Sequence, residues 1–244
     1  MLEIKNVTRK FASKYGVANA ELTIEPGKTY ALLGPNGSGK TTLMKMIAGL
    51  MMPTSGEILF EGTKVGHKTK AHIAYMPTES YFYPYMTIRD AGKYYRDFFE
   101  DFDMARYEET LQRMDLNPKD RIDKLSSGMN AKVRLALTLS RNARLMMFDE
   151  PLNGVDILTR TQVINEIVRY RNEGRSMIIS THLVEEMDDY IDRVIFMRHG
   201  QIVKQGERSE LTQEKSLTDV YLELYAPPPA PVPQAAAEGV SEGV

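Results

Sequence analysis

Gly34-Pro35-Asn36-Gly37-Ser38-Gly39-Lys40-Thr41 packs three glycines, a lysine and a terminal hydroxyl into one short stretch. Glycines at 34, 37 and 39 let a backbone curl and approach a ligand closely without Cβ clashes. Such a loop turns backbone N–H groups inward, and these answer the clustered negative oxygens of a nucleotide triphosphate. A helix starting near Lys40 aims its N-terminal dipole at the same anion. Lys40 then reaches the β- and γ-phosphates, and the Thr41 hydroxyl is placed to ligate Mg²⁺. With glycine at about 7% of residues, the four fixed positions coincide by chance in roughly one such chain in a hundred. The flanks are those the mechanism requires: an apolar strand over 29–33 enters the loop, and 41–50 reads as a helix closed by Pro53.

Outward from the loop, alternating patterns predict strands at 2–7 and 20–24, then near 57–61 and 73–76. Residues 87–142 carry long helical patterns and read as three or four helices. Apolar runs return at 144–148, 176–180 and 193–197, with a helical stretch at about 157–173. Strands alternating with helices argue for an α/β fold with a parallel sheet, so the helical block at about 87–142 reads as an insertion between sheet strands. From Ala226 the composition turns to Ala-Pro-Pro-Pro-Ala-Pro-Val-Pro. A segment so poor in large apolar groups cannot offset its ordering entropy, so 226–244 is expected to be a disordered, solvated tail, with a Pro-rich ligand as the alternative. No internal repeat is found.

Bulk properties exclude several classes. The 244 residues are 42% hydrophobic, and 31 basic against 33 acidic residues leave a net charge of −2. No global basic field exists to hold a nucleic-acid backbone, so no nucleic-acid partner is expected. Without cysteine there is no disulfide and no thiolate metal site. A membrane-spanning helix needs roughly 20 apolar residues, and the runs here are far shorter. The start, Met1-Leu2-Glu3-Ile4-Lys5, carries no secretion signal, and the expectation is a cytoplasmic protein.

A second cluster lies at Leu145-Met146-Met147-Phe148-Asp149-Glu150-Pro151, an apolar strand ending in two acids. Burying that strand puts Asp149 at the C-terminal edge of the sheet, where open α/β sheets bind ligands. There Asp149 is suited to hold Mg²⁺ beside Thr41, and Glu150 to act as the general base that orients water. Ser180-Thr181-His182 ends another apolar strand, and His182 on the same edge is a candidate contact for the γ-phosphate.

These pieces, in this order, resemble the ATP-binding cassette (ABC) family over about residues 1–225. The phosphate loop Gly34, Asn36, Gly37, Ser38, Gly39, Lys40, Thr41 with Thr42 is similar to the family's Walker A motif. Leu145-Met146-Met147-Phe148-Asp149-Glu150 is similar to its Walker B strand and catalytic glutamate, and His182 to its switch histidine. Leu152-Asn153-Gly154-Val155-Asp156 keeps the aspartate that ends the family's D-loop. Leu125-Ser126-Ser127-Gly128-Met129 resembles the signature Leu-Ser-Gly-Gly-Gln, with Ser127 for a glycine and Met129 for the glutamine. Ser126, Ser127 and Gly128 would begin a helix over 130–141, a second anion-binding N-terminus. The resemblance implies a P-loop NTPase core with a parallel sheet, an antiparallel β subdomain and an inserted helical subdomain. It also implies ATP and Mg²⁺ as cofactors, and a second ATP-binding subunit whose signature completes the site.

Stacking of adenine on an aromatic is expected from the resemblance, at Phe11 with Tyr15 as the alternative. After Ala74-Tyr75-Met76-Pro77 the family places a glutamine that touches Mg²⁺ and the attacking water, whereas this chain has Thr78 and then Glu79. Thr78 is too short for that reach, and Glu79 is the alternative metal contact.

Of the chain's 13 tyrosines and 8 phenylalanines, Tyr81, Phe82, Tyr83, Tyr85, Tyr94, Tyr95, Phe98 and Phe99 fall in one short stretch. Aromatics concentrated on one surface mark interfaces, although part of this set is expected to build the helical core. The resemblance implies an integral membrane permease docking near 78–95, which would hold the protein at the inner face of the cell membrane. The C-terminal segment around Gly200-Gln201-Ile202-Val203 and Ser216-Leu217-Thr218-Asp219-Val220-Tyr221 is similar to export-type subunits. The alternatives are a soluble, non-transport ABC ATPase and a weakly hydrolysing regulatory subunit.

Overall fold

The computed structural model describes residues 1–79, 81–171 and 173–226. In chain order these form β1 (Leu2–Phe11), β2 (Lys14–Ile24), β3 (Thr29–Leu33), α1 (Lys40–Ile47), β4 (Ser55–Phe60), β5 (Thr63–Lys64) and β6 (Ile73–Met76). Next come α2 (Ile88–Phe98), α3 (Met104–Arg113), α4 (Ser127–Leu139), β7 (Leu145–Asp149), α5 (Ile157–Arg171), β8 (Ser176–Thr181), β9 (Arg193–Arg198), β10 (Gln201–Glu207), α6 (Arg208–Leu211) and α7 (Leu217–Tyr225). One sheet is antiparallel, in the order β2-β1-β4-β5. The other runs β10-β9-β3-β8-β7-β6 and is parallel except where β10 pairs with β9.

The parallel strands read as unbroken apolar runs because both of their faces are covered. Along β3 the side chains alternate. Ala31 and Leu33 pack with Met146, Phe148 and the helices α2 to α5, while Tyr30 and Leu32 pack with Leu43 and Met44 of α1 and with Leu2 and Ile4 of the antiparallel sheet. The two layers clamp the sheet, and Leu33, Asp149 and Thr181 end their strands at its C-terminal edge.

Several boundaries differ from the sequence expectation. The strand predicted at 2–7 continues to Phe11, and the one predicted at 20–24 begins at Lys14. Register shifts near Val7, Arg9 and Lys10, with Asn6 at φ 49° and Asn19 at φ 47°, break the period-two alternation, so the outer half of this hairpin does not read as strand. The first helix stops at Ile47 rather than at 50, because Ala48 caps it and Gly49 turns to φ 67°. Helix α4 begins at Ser127, not 130, because the Ser126 hydroxyl accepts the Met129 N–H at 3.2 Å and caps it. Helices α2, α3 and α4 lie between β6 and β7. The tail expected at 226–244 lies, from 227 onward, outside the described residues.

Candidate active site

The phosphate-type loop joins β3 to α1 at the sheet edge. Gly39 has φ 107°, and a Cβ there would lie 2.3 Å from the Gly16 carbonyl, so only glycine allows this approach of the loop to β2. A Cβ on Gly34 would meet the Met197 carbonyl at 2.3 Å. The loop is further tied by the Gly200 N–H donating to the Ser38 carbonyl at 2.8 Å. Pro35, Asn36 and Gly37 stand exposed on its rim. No side chain caps α1 at Gly39, so its first N–H groups face out of the helix end. The buried Ser38 hydroxyl has no partner among the described residues. The Lys40 ammonium is buried and donates to the Gly34 carbonyl at 2.7 Å. An orphaned hydroxyl, an uncapped helix start and a buried ammonium on one loop fit a phosphate chain.

Asp149 is wholly buried, and hydroxyls converge on its carboxylate. Thr41 donates to Oδ1 at 3.1 Å, Ser180 to Oδ1 at 2.6 Å, and Tyr75 to Oδ2 at 2.9 Å. Burial, followed by the Asp149 charge, pushes the Tyr75 phenol well above its ordinary pKa, so it stays a donor. No group of three or more His, Cys, Asp or Glu side chains gathers as a metal cage among the described residues. The donor set of one hydroxyl and one carboxylate instead suits Mg²⁺, which takes few protein oxygens and completes its shell with water and phosphate.

Glu150 follows in a turn at φ 51°, the left-handed region that costs a non-glycine residue about 1–3 kcal/mol. Its N–H is held by the Ser180 carbonyl at 3.1 Å and the Ser180 hydroxyl at 3.0 Å. One carboxylate oxygen lies 2.8 Å from His182 Nδ1 and the other 3.2 Å from Lys40 Nζ. Lys40, Thr41, Asp149, Glu150 and His182 thus meet at one edge. His182 holds one carboxylate oxygen, while the oxygen facing the Lys40 ammonium makes no hydrogen bond among the described residues and is left to orient a water molecule.

Phe11 lies at the end of β1, and its ring is the nearest neighbour a Cβ on Gly16 would meet, followed by Thr42. The strand segment behind the phosphate loop therefore brings Phe11 beside Thr42, while Tyr15 is the more exposed at 56% against 41%. Ser126, Ser127 and Gly128 do not join the loop in this chain. Ser127 donates to the Gly154 carbonyl at 3.1 Å, and Gly128 packs on Thr159. Thr78 turns its hydroxyl to the Asp149 carbonyl at 3.1 Å, and Glu79 is exposed. Of the aromatic cluster, Tyr95 is buried and Phe82 and Phe99 pack on the core, while Tyr81, Tyr83, Tyr85, Tyr94 and Phe98 are exposed. The roles of Tyr75 and Ser180 were missed from the sequence. The signal lay in register: Ser180 sits opposite Asp149 across β7 and β8, and Tyr75 sits on the neighbouring strand.

The family model described as "ABC transporter" matches residues 17–153. The chain is 29% identical over 217 residues to the ABC transporter ATP-binding protein YtrB of Bacillus subtilis, covering 88% of this chain and 74% of that one. It is 34% identical over 224 residues to the spermidine/putrescine import ATP-binding protein PotA of Nitrosospira multiformis, covering 86% of this chain and 60% of that one. Its fold matches a solved ATP-binding subunit of an ABC transporter with a TM-score of 0.82, at 24% identity, covering 92% of this chain and 99% of the other. Loop, carboxylate strand end and histidine stand in the order and place of an ATP-hydrolysing cassette, and the chain belongs to the ABC transporter family.

Proposed function

We propose that this chain is the ATP-hydrolysing subunit of a membrane exporter, with residues 1–225 as the ATPase unit and 226–244 as a tail. The observation that carries the reading is the meeting of Lys40, Thr41, Asp149, Glu150 and His182 at one sheet edge. Gly34, Asn36, Gly37, Ser38, Gly39 and Thr42 cradle the phosphates with backbone N–H groups, Lys40 neutralises them, and Phe11 stacks the base. Thr41 and Asp149 would hold Mg²⁺, which when bound would neutralise phosphate charge. Glu150 orients the attacking water and accepts its proton. His182 steadies Glu150 through Nδ1, so its contact with phosphate falls to Nε2.

In this reading two chains make each site. Ser126 and Ser127 stand exposed at the start of α4, with Gly128 buried beside them, and this helix start meets the nucleotide of a second ATP-binding subunit. The permease docks near 78–95, where Tyr83 and Tyr85 stack at 5.5 Å with 52% and 67% of their surfaces exposed. No helix among the described residues is long and apolar enough to cross a membrane, so membrane attachment rests on that permease at the inner face. Export is favoured by the C-terminal segment, against the relative named for import.

Hydrolysis of ATP by the purified chain, abolished by chelating Mg²⁺ and stimulated by the co-purified permease, tests the reading. Loss of the permease from a Tyr83→Ala/Tyr85→Ala pull-down supports the docking site, and full retention contradicts it. A weakly hydrolysing regulatory subunit is the second reading, favoured by Thr78 standing where the family has glutamine.

A further inference from the structure

Arg134 is a buried cation that the site described above does not use. It sits about 10 Å along α4 from Ser127, at 1.5 Å of rise per residue, and only 7% of it is exposed. No carboxylate pairs with it among the described residues, its Nε has no partner, and burial works against its charge. A guanidinium in such a place costs stability that an apolar side chain of similar length would not. Its Nη1 donates to two consecutive carbonyls, Pro77 at 2.5 Å and Thr78. These belong to the segment leading from β6 into the helical block. The Thr78 hydroxyl donates in turn to the Asp149 carbonyl, 3.1 Å away. A continuous hydrogen-bonded path therefore runs from α4, whose N-terminus carries Ser126, Ser127 and Gly128, through Arg134 and Thr78 to the strand end that holds Asp149 and Glu150.

We propose that Arg134 is a positioning residue that couples the placement of α4 to the catalytic carboxylates through Thr78. This rests on the ATPase reading of the same site. Thr78 reaches the Asp149 backbone, and Arg134 fixes the segment that makes the reach. Displacing α4 then shifts Asp149 and Glu150 without any change at the phosphate loop, so Arg134 acts on turnover and not on nucleotide affinity.

The test compares Arg134→Met, Arg134→Lys, Thr78→Val and the Arg134→Met/Thr78→Val double variant in the full chain. The expected result for Arg134→Met is a kcat about tenfold lower, equivalent to about 1.4 kcal/mol, with KM for Mg-ATP within about twofold. Lysine keeps a donor and restores most of the rate. The double variant is no slower than the slower single one, because both cut one path. Hydrogen exchange in the absence of nucleotide gives a readout independent of turnover: protection over 145–150 falls in Arg134→Met and returns in Arg134→Lys. An unchanged kcat per folded molecule, multiplicative losses in the double variant, or unaltered protection over 145–150 would overturn the proposal. A wild-type chain without ATPase activity would sink the functional reading alone, and the exchange data would still judge Arg134.

Discussion

Replacing Tyr75 with phenylalanine removes one hydroxyl from the strand end and leaves the ring in place. Thr41 and Ser180 share Oδ1 of Asp149, whereas Tyr75 serves Oδ2. Asp149 has no exposed surface, so the loss leaves a buried carboxylate oxygen without this donor. A hydrogen bond to a charged group contributes about 1.5–3 kcal/mol, and an orphaned buried acceptor carries a penalty of the same order. The substitution opens no cavity of note, so packing adds little. At about 2–4 °C per kcal/mol for a domain of this size, Tyr75→Phe should lower Tm by roughly 3–12 °C. The assay is thermal unfolding followed by circular dichroism without nucleotide or Mg²⁺, with Tyr83→Phe as the exposed control. Ser180→Ala removes a donor to Asp149 and an acceptor of the Glu150 N–H together, and a cycle with Tyr75→Phe should show coupling of about 0.5–3 kcal/mol through the shared carboxylate. A Tm within the error of wild type, or strict additivity in the cycle, would refute the role of Tyr75.

Other outcomes follow from particular contacts. Gly39→Ala puts a methyl against the Gly16 carbonyl at φ 107°, so binding of a fluorescent ATP analogue should be lost, and wild-type affinity would contradict the loop geometry. Arg113 binds the nearly buried Glu166 of α5 in a bidentate pair at 2.9 and 3.0 Å. Arg113→Met leaves that carboxylate only the longer Arg169 contact at 3.8 Å and should cost about 2–3 kcal/mol in urea unfolding, with an unshifted midpoint as the contrary result. Burial raises the phenols of Tyr30, Tyr75 and Tyr170 above their usual 10.0 and lifts Tyr95 to about 12. Unfolded tyrosines lose their protons first, so the unfolded state binds fewer protons and stability falls with rising pH. That stabilisation is intact below about pH 10 and declines as pH rises above it, the Tyr95 share being lost by about pH 12 and the Tyr75 share later. Urea midpoints that stay constant up to pH 11 would contradict it.

The phosphate loop was legible because its chemistry is local: glycines, lysine and hydroxyl are neighbours in the chain, and a strand and a helix flank them. Asp149 and Glu150 were legible as an acidic strand end. Tyr75 and Ser180 were not, because their hold on Asp149 depends on which strands become neighbours and in what register, over separations of 74 and 31 residues. The outer hairpin of β1 and β2 was hidden by bulges that spoil alternation. Position 78 stood out as a departure from the family pattern, but Arg134, 56 residues further on, gave no sign of contact with it. In a helix of mixed pattern, an arginine reads as solvated until packing shows it buried.

The most direct test of the account is steady-state Mg-ATP turnover by the purified chain and by Glu150→Gln. Glutamine keeps the shape and loses the base. Turnover should fall by a factor of about 10² or more, while ATP is still bound and holds the variant as a dimer on size exclusion. Wild-type turnover in Glu150→Gln would contradict the assignment of the base.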